Sequence, residues 1–334
     1  MQGKLANEMK ILRASDKVAE QLPQFVQEWY LLLKGSDKSA SSCYEYIRRI
    51  RQFLEYISND VKEMNTNEIT LDACESFMIS CQTIKERDGM EVQTSCSYKQ
   101  SLWSILNHFC NFLAERGYIE YNYMNRIPRT KLQGSGTIKK DRIILTKKDF
   151  NKVLNASKTV SKHPDGLLSN RDVLIVLLFM TTGIKRGTMS AINIDDIDID
   201  NQLLYSKDST GQPQTYPLNK QVIECLNKWL DDRKKLKVSE LENALFISVY
   251  GKRLGDDTMY NIVRQSCRKG LKKTLSPNEI RSAFYAMLYD KTHDIEFVRR
   301  VAGHKNIQTT QRLLTEKGDE RTKALKIMSD IINI

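Results

Sequence analysis

The chain has 334 residues, with 52 lysines and arginines against 41 aspartates and glutamates and a net charge of +11. Its 40% hydrophobic and 28% charged residues exclude a disordered or fibrous polymer, and its length fits about two domains. No apolar run reaches the ~20 residues of a membrane span, and the N-terminal MQGKLANEMKILRASDK lacks the apolar core of a signal peptide, so a cytoplasmic, non-membrane protein is expected.

The first half reads as helices. SASSCYEYIRRIRQFLEYI from Ser39 sets Ile47, Ile50, Leu54 and Ile57 at spacings of three and four, a single helical stripe, with Arg48, Arg49 and Arg51 on the other faces. Asn67–Cys81 is a second helical candidate. Ser95–Arg116 is a third, striped by Leu102, Ile105, Leu106, Phe109, Phe112 and Leu113 and stopped by Gly117. These form a helical domain over residues 1–127. Residues 128–143 (PRTKLQGSGTIKKDRI) combine Gly-Ser-Gly with a basic run that includes Lys139 and Lys140 and no apolar period, the composition of a linker. Such a linker is either merely solvated or passes close to phosphates.

The remaining domain, 144–334, opens on Thr146 as an N-cap with Asp149 three residues on. The apolar helix Arg171–Met180 and a Thr-Thr-Gly turn follow. Alternation in Leu203–Tyr205 and Thr215–Leu218 around a polar Lys207–Gln214 turn predicts a short hairpin. Helices dominate from Gln221 onward, giving a mainly α fold with a small β-sheet or hairpin. In Asp257–Lys273, capped by Asp257 or Thr258, the residues Asn261, Arg264, Arg268, Lys269, Lys272 and Lys273 lie on polar faces. Arg and Asn on one helix are the side chains that read guanine and adenine in a major groove. The tail carries an amphipathic stripe, Ala324, Ile327, Met328, Ile331 and Ile332, which needs a groove on its own domain or on a neighbouring subunit. The seven cysteines form no CxxC and read as free, packed thiols. The positive surplus points to a polyanion, which composition alone does not identify.

Three fragments, RDVLIVLLFMTTGIKRGTMSAINIDDI, SPNEIRSAF and VAGHKNIQTTQRLLT, follow in order and spacing the catalytic boxes of a known family. Ser39, Ser42, Tyr46, Ile50 and Phe53 keep the spacing of its core-binding helix. Over roughly residues 20–325 the chain resembles the tyrosine recombinases, or phage integrases. The resemblance implies a two-domain clamp on double-stranded DNA, with a SAM-like core-binding domain and a catalytic-type domain. In that family a tyrosine hydroxyl attacks a phosphodiester, two arginines clamp the phosphate, and a hairpin lysine and histidines move protons.

Carried over position by position, the resemblance is incomplete. Lys185 stands for the first arginine, with Arg186 beside it, and Thr188 stands for the usual acidic residue. Lys207 is a fair match for the hairpin lysine, and Asn278 stands for a histidine. Arg281 and His304 are retained. Nine residues beyond His304, where the family has its tyrosine, this chain has Leu313, and no tyrosine follows Tyr289. Thr309, Thr310 and Thr315 have hydroxyls, but the sequence shows no adjacent base. The expectation is an enzyme fold without its nucleophile and without cofactor or metal. Lys185, Arg186, Lys207, Arg281, His304, Asn261, Arg264 and Arg268 would contact DNA, with Arg48, Arg49, Arg51, Lys99, Lys139 and Lys140 gripping backbone from elsewhere. Three careers follow: a repressor maintaining lysogeny, an accessory or bridging protein of recombination, or an active recombinase with an unrecognised nucleophile. The chain also resembles the recombinase-fold master repressors of SPβ-type Bacillus prophages, which favours the first. Self-association through the tail and an unknown regulatory protein are further possible partners.

Overall fold

Apolar residues at spacings of three and four build the N-terminal helices and also dictate which face each one buries. The computed structural model describes residues 2–81, 83–85, 91–129, 143–207, 211–236 and 242–314, in two units, Met1–Lys139 and Lys140–Ile334. Lys139, Lys140 and the tail stripe from Ala324 lie outside the described residues.

The first unit contains helices α1 (Gln2–Ala19), α2 (Gln24–Lys34), α3 (Ala40–Ile57), α4 (Leu71–Ser80) and α5 (Cys96–Glu115). Ile47, Ile50 and Leu54 of α3 are fully buried with Phe53, against Trp29 of α2 and Phe109 of α5. Each buried side chain of this size contributes roughly 1.5–3 kcal/mol. The Trp29 and Phe109 rings meet edge to face at 5.1 Å, and the indole N–H donates to His108 Nδ1 at 3.0 Å. The α5 boundaries follow the sequence: the Ser95 hydroxyl accepts the Tyr98 N–H, and Gly117 takes the left-handed φ of 72° after the last turn. Helix α4 starts later than expected. Asn65 caps a separate 3₁₀ turn, Thr66–Glu68, and Thr70 then caps α4 by accepting the Ala73 N–H. Two features were not anticipated: α1 and α2 before Ser39, and an antiparallel ribbon of β1 (Thr83–Lys85) and β2 (Glu91–Gln93).

The second unit contains α6 (Lys147–Ser157), α7 (Ser169–Thr182), α8 (Arg186–Ala191), strands β3 (Ile197–Asp198), β4 (Leu203–Lys207) and β5 (Pro213–Pro217), then α9 (Lys220–Lys234), α10 (Asp256–Leu271), α11 (Pro277–Thr292), α12 (Ile295–Ala302) and α13 (Ile307–Leu314). Thr146 and Asp149 form the expected capping box on α6. Helix α7 is buried from Leu174 to Met180 and serves as the core's central rod. Its buried Arg171 is held by four bonds, donating twice to Asp172, to the Ile247 carbonyl at 2.9 Å and to the Ser161 hydroxyl at 2.8 Å. The strands form one antiparallel sheet in the order β3-β4-β5, and Leu203–Lys207 pairs with Pro213–Pro217 as a hairpin, as the alternation predicts.

Helix α10 is capped by Gly255, not by Asp257 or Thr258. Asp256 and Asp257 instead occupy its first turn, where carboxylates favour the helix dipole. It ends at Leu271, with Lys272 in the left-handed conformation, so Lys272 and Lys273 lie beyond the helix. Where α10 crosses α6, a Cβ at Gly270 would stand 2.8 Å from the Lys152 carbonyl oxygen and 3.0 Å from the Val153 Cα. Both neighbours are backbone. Gly270→Ala is therefore expected to destabilise by about 1–3 kcal/mol, despite alanine's better helix propensity. A melting temperature at or above wild type would show that the helices separate freely.

Candidate nucleic-acid interface

Gly183 ends α7 at φ 60°, and a Cβ there would come within 2.6 Å of the Phe284 ring. Only glycine makes that turn at that distance. The turn aims the Gly183 carbonyl at α11, which accepts from Arg281 Nη1 and from the Tyr285 hydroxyl at 3.2 Å. Arg281 Nη2 donates to the Ala302 carbonyl at 2.9 Å. The guanidinium lies over the Tyr285 ring, 4.9 Å from its centroid. Arg281 is 9% exposed, and a guanidinium carries five N–H donors. Two are committed to carbonyls, and the described residues supply no acceptor for the others. The register of α11 is set by a capping box in which Ser276 and Glu279 satisfy each other's backbone N–H, with Pro277 in the first turn.

Helix α12 ends at Gly303 with φ 63°, and that turn presents His304. The ring stands edge-on to Tyr285 at 5.9 Å, and Nδ1 lies 3.0 Å from Thr310 Oγ1. Burial pushes the imidazole pKa below its ordinary value, and Arg281, Lys185 and Arg299 push it the same way. Arg299 also donates to the His304 carbonyl. The sequence expectation that no base lies beside the threonines is thus corrected for Thr310: its hydroxyl faces an imidazole nitrogen. Thr310 itself is completely buried.

Lys185 is exposed at the N-cap of α8. Arg186 pairs with Asp256 at 3.7 Å and lies over the Tyr260 ring. Lys207 is exposed at the end of β4, opposite Pro213. On β5 the Gln214 amide approaches within 3.5 Å of where a Gly303 Cβ would be, which sets the hairpin against the His304 turn. Asn278 is exposed on the first turn of α11. Leu313 is half-buried on α13 and packs with Phe284, Leu288 and Tyr289 around the buried Tyr285, Val298 and Ala302. Arg281 and His304, with the nearby charge of Lys185, therefore form a cationic pocket able to receive an oxyanion. Sequence reasoning missed Tyr285, Thr310 and Gln214 as its supports. Tyr285 was findable, because it lies one helical turn from Arg281.

Along α10, Met259, Ile262, Val263, Ser266 and Cys267 face the core, while Asn261, Arg264, Gln265 and Arg268 are exposed on the opposite side. None of these four side chains has a hydrogen-bond or ion-pair partner among the described residues. Gln265 adds an exposed amide beside Asn261, Arg264 and Arg268 on this face. Lys269 is tied to the Thr159 carbonyl at 2.8 Å.

The α3 arginines are differently placed. Arg48 and Arg49 both pair with Glu45, Arg49 also donates to the Tyr98 hydroxyl at 2.8 Å, and Arg51 pairs with Glu55 at 2.7 Å. The expectation for Lys99 is corrected: it is 7% exposed, its stem lying along the buried face of α5. Among the described residues no group of three His, Cys, Asp or Glu could hold a metal, and no helix is long and apolar enough to cross a membrane.

These features can be set beside known proteins. The chain is 28% identical over 147 residues to tyrosine recombinase XerC of Pseudomonas fluorescens, a match covering 44% of this chain and about half, 48%, of that protein. It is 25% identical over 285 residues to tyrosine recombinase XerD of Listeria monocytogenes, covering 84% of this chain and 90% of the relative. In fold it is similar to the XerH site-specific recombinase bound to its difH substrate (TM-score 0.62, 19% identity, 86% of this chain and 79% of that one). It is also similar to the lambda integrase dimer bound to a COC′ core site (TM-score 0.60, 18% identity, 88% and 95%). Residues 144–318, just over half of the chain, match the phage integrase family along their length, and the chain belongs to that family.

Proposed function

We propose that this protein is a sequence-specific double-stranded DNA-binding protein that keeps the recombinase fold without strand cleavage, and that it acts as a prophage repressor. The observation that carries the loss of cleavage is Leu313. At the position where the family resemblance expects a nucleophile, an aliphatic side chain packs into an apolar cluster. Lys185 and Asn278 at two further catalytic positions support the same reading. Tyr285, the tyrosine that touches Arg281 and His304, does not substitute: its hydroxyl is bonded to the Gly183 carbonyl and burial raises its pKa to about 12, the reverse of activation. What remains is a site that holds a phosphate through Arg281, Lys185 and His304 and reads bases with α10.

Selection of source-genome fragments on the purified protein tests the regulatory role. A recurring motif upstream of genes is the expected result. Enrichment at a single attachment-like junction would favour an accessory of recombination instead. The Thr310–His304 contact favours a second reading, in which the threonine is the nucleophile and His304 its base. Thr310 is completely buried, so that reading needs α13 to move.

The reading predicts a pH dependence with a definite sign. Burial and the neighbouring cations lower the His304 pKa and so favour the neutral ring in the free protein. A phosphate in the pocket favours the imidazolium, so binding takes up a proton, and affinity rises as pH falls and levels off once the free ring is itself protonated, below its ordinary range. The limit is about tenfold per pH unit for one proton. His304→Gln should flatten the profile of Kd against pH, and an unchanged profile in that variant would remove His304 from the phosphate site.

A further inference from the structure

The first unit carries many cations, and most of those described have an internal partner or are buried. Arg48, Arg49 and Arg51 face Glu45 and Glu55, and Lys34 faces Asp16. Lys38, Arg116, Arg126 and Arg129 lie over aromatic rings, and Lys99 is buried. Three cations of α1 are different. Lys10, Arg13 and Lys17 are exposed, and none has an ion pair, hydrogen bond or ring contact among the described residues. Their spacings of three and four put them on one helix face, within about 60° of each other at ~100° per residue. Apart from these, Lys62 is the only exposed cation of the unit's described side chains left without a carboxylate or ring.

The rest of α1 excludes other uses of this strip. Its opposite face, with Ser15 and Ala19 buried and Ile11 and Val18 half-buried, packs against the helical core of its own unit. The apolar side that an amphipathic helix would insert into a lipid surface is therefore already occupied. The carboxylate nearest the strip in sequence, Asp16, is held by Lys34 and by the Tyr30 hydroxyl. What faces outward is a row of three free charges about 10 Å long, at 1.5 Å per residue, the length of a few successive phosphates along one strand.

We infer that Lys10, Arg13 and Lys17 form the phosphate-backbone contact of the first unit, in place of the α3 arginines. This rests on the proposed binding of double-stranded DNA and specifies which surface of this unit supplies the charge. Contacts of this kind add affinity without sequence preference, and each neutralised phosphate steepens the dependence of log K on log salt by about 0.9.

The test compares wild type with the full-length triple variant Lys10→Ala, Arg13→Ala, Lys17→Ala, using fluorescence anisotropy on a mixed-sequence duplex and on a selected fragment across a salt series. The expected result is a slope shallower by about 2–3, with affinity reduced alike on both duplexes and the melting temperature unchanged. A triple variant with wild-type slope and affinity would overturn the α1 assignment while leaving DNA binding in place. A wild-type protein that retains neither duplex would take down both readings. Loss confined to the selected fragment would also overturn the assignment, because it would mean that the strip reads bases.

Discussion

Arg281→Ala is expected to lower the stability of the second unit by about 3 kcal/mol, and with it the melting temperature by roughly 6–12 °C. The guanidinium is a tie as well as a charge. It holds the Gly183 carbonyl at the end of α7 and the Ala302 carbonyl at the end of α12 while stacking on Tyr285. Removing it leaves the Ala302 carbonyl without this donor and the Gly183 carbonyl with the Tyr285 hydroxyl alone, and a buried acceptor left unpaired costs more than its bond contributed. The same variant should weaken duplex binding by about ten- to a hundredfold at temperatures where it remains folded, since charge-assisted bonds to phosphate contribute about 1.5–3 kcal/mol. Arg281→Lys separates the two roles, because it keeps the charge but cannot reach both carbonyls as a planar fork does. An alanine variant that melts with wild type would contradict the bridging role, and one that binds DNA normally would leave the pocket idle.

The second large effect belongs to α10. Arg264→Ala and Arg268→Ala should each reduce affinity for the selected fragment by roughly 1–3 kcal/mol, about five- to a hundredfold, and relax preference at a guanine. Affinity for a mixed-sequence duplex should change far less, because these side chains are assigned to base edges. That outcome is the mirror image of the α1 result, in which both duplexes lose equally. Equal loss on both duplexes in the α10 variants would mean that Arg264 and Arg268 contact phosphates.

Much of the architecture was legible because burial and spacing agree. Ile47, Ile50 and Leu54 mark the hidden face of α3, and Gly117 stops α5 where its left-handed backbone requires. Helices α1 and α2 were passed over: α1 has too few apolar residues to announce itself, and its cations hide a half-apolar face. Two features at the surface, the burial of Lys99 and the ion pairs of the α3 arginines, had signals of their own in the sequence. Lys99 lies three residues before Leu102 and seven before Leu106, on the stripe that becomes core, so its spacing already argued for burial. Glu45 and Glu55 stand three or four residues from Arg48, Arg49 and Arg51, the spacing of ion pairs along a helix.

The candidate pocket was legible as a set of residues and illegible as a shape. Arg281 and His304 are 23 positions apart, and only the packing of α11 against the Gly183 and Gly303 turns brings both to Tyr285. The Thr310–His304 contact depends on a turn between two short helices, and no helical period reports it. Gln214 reaches the Gly303 turn from a separate sheet, a contact that only the tertiary fold creates.

The most direct test of the central claim is a covalent trap. A duplex carrying the selected motif, nicked so that the leaving strand escapes, is incubated with the protein and resolved under denaturing conditions. The account predicts retention of the duplex under native conditions and no protein–DNA adduct after denaturation. An adduct, whether through Thr310 or any other residue, would contradict it and return the protein to the recombining enzymes it resembles.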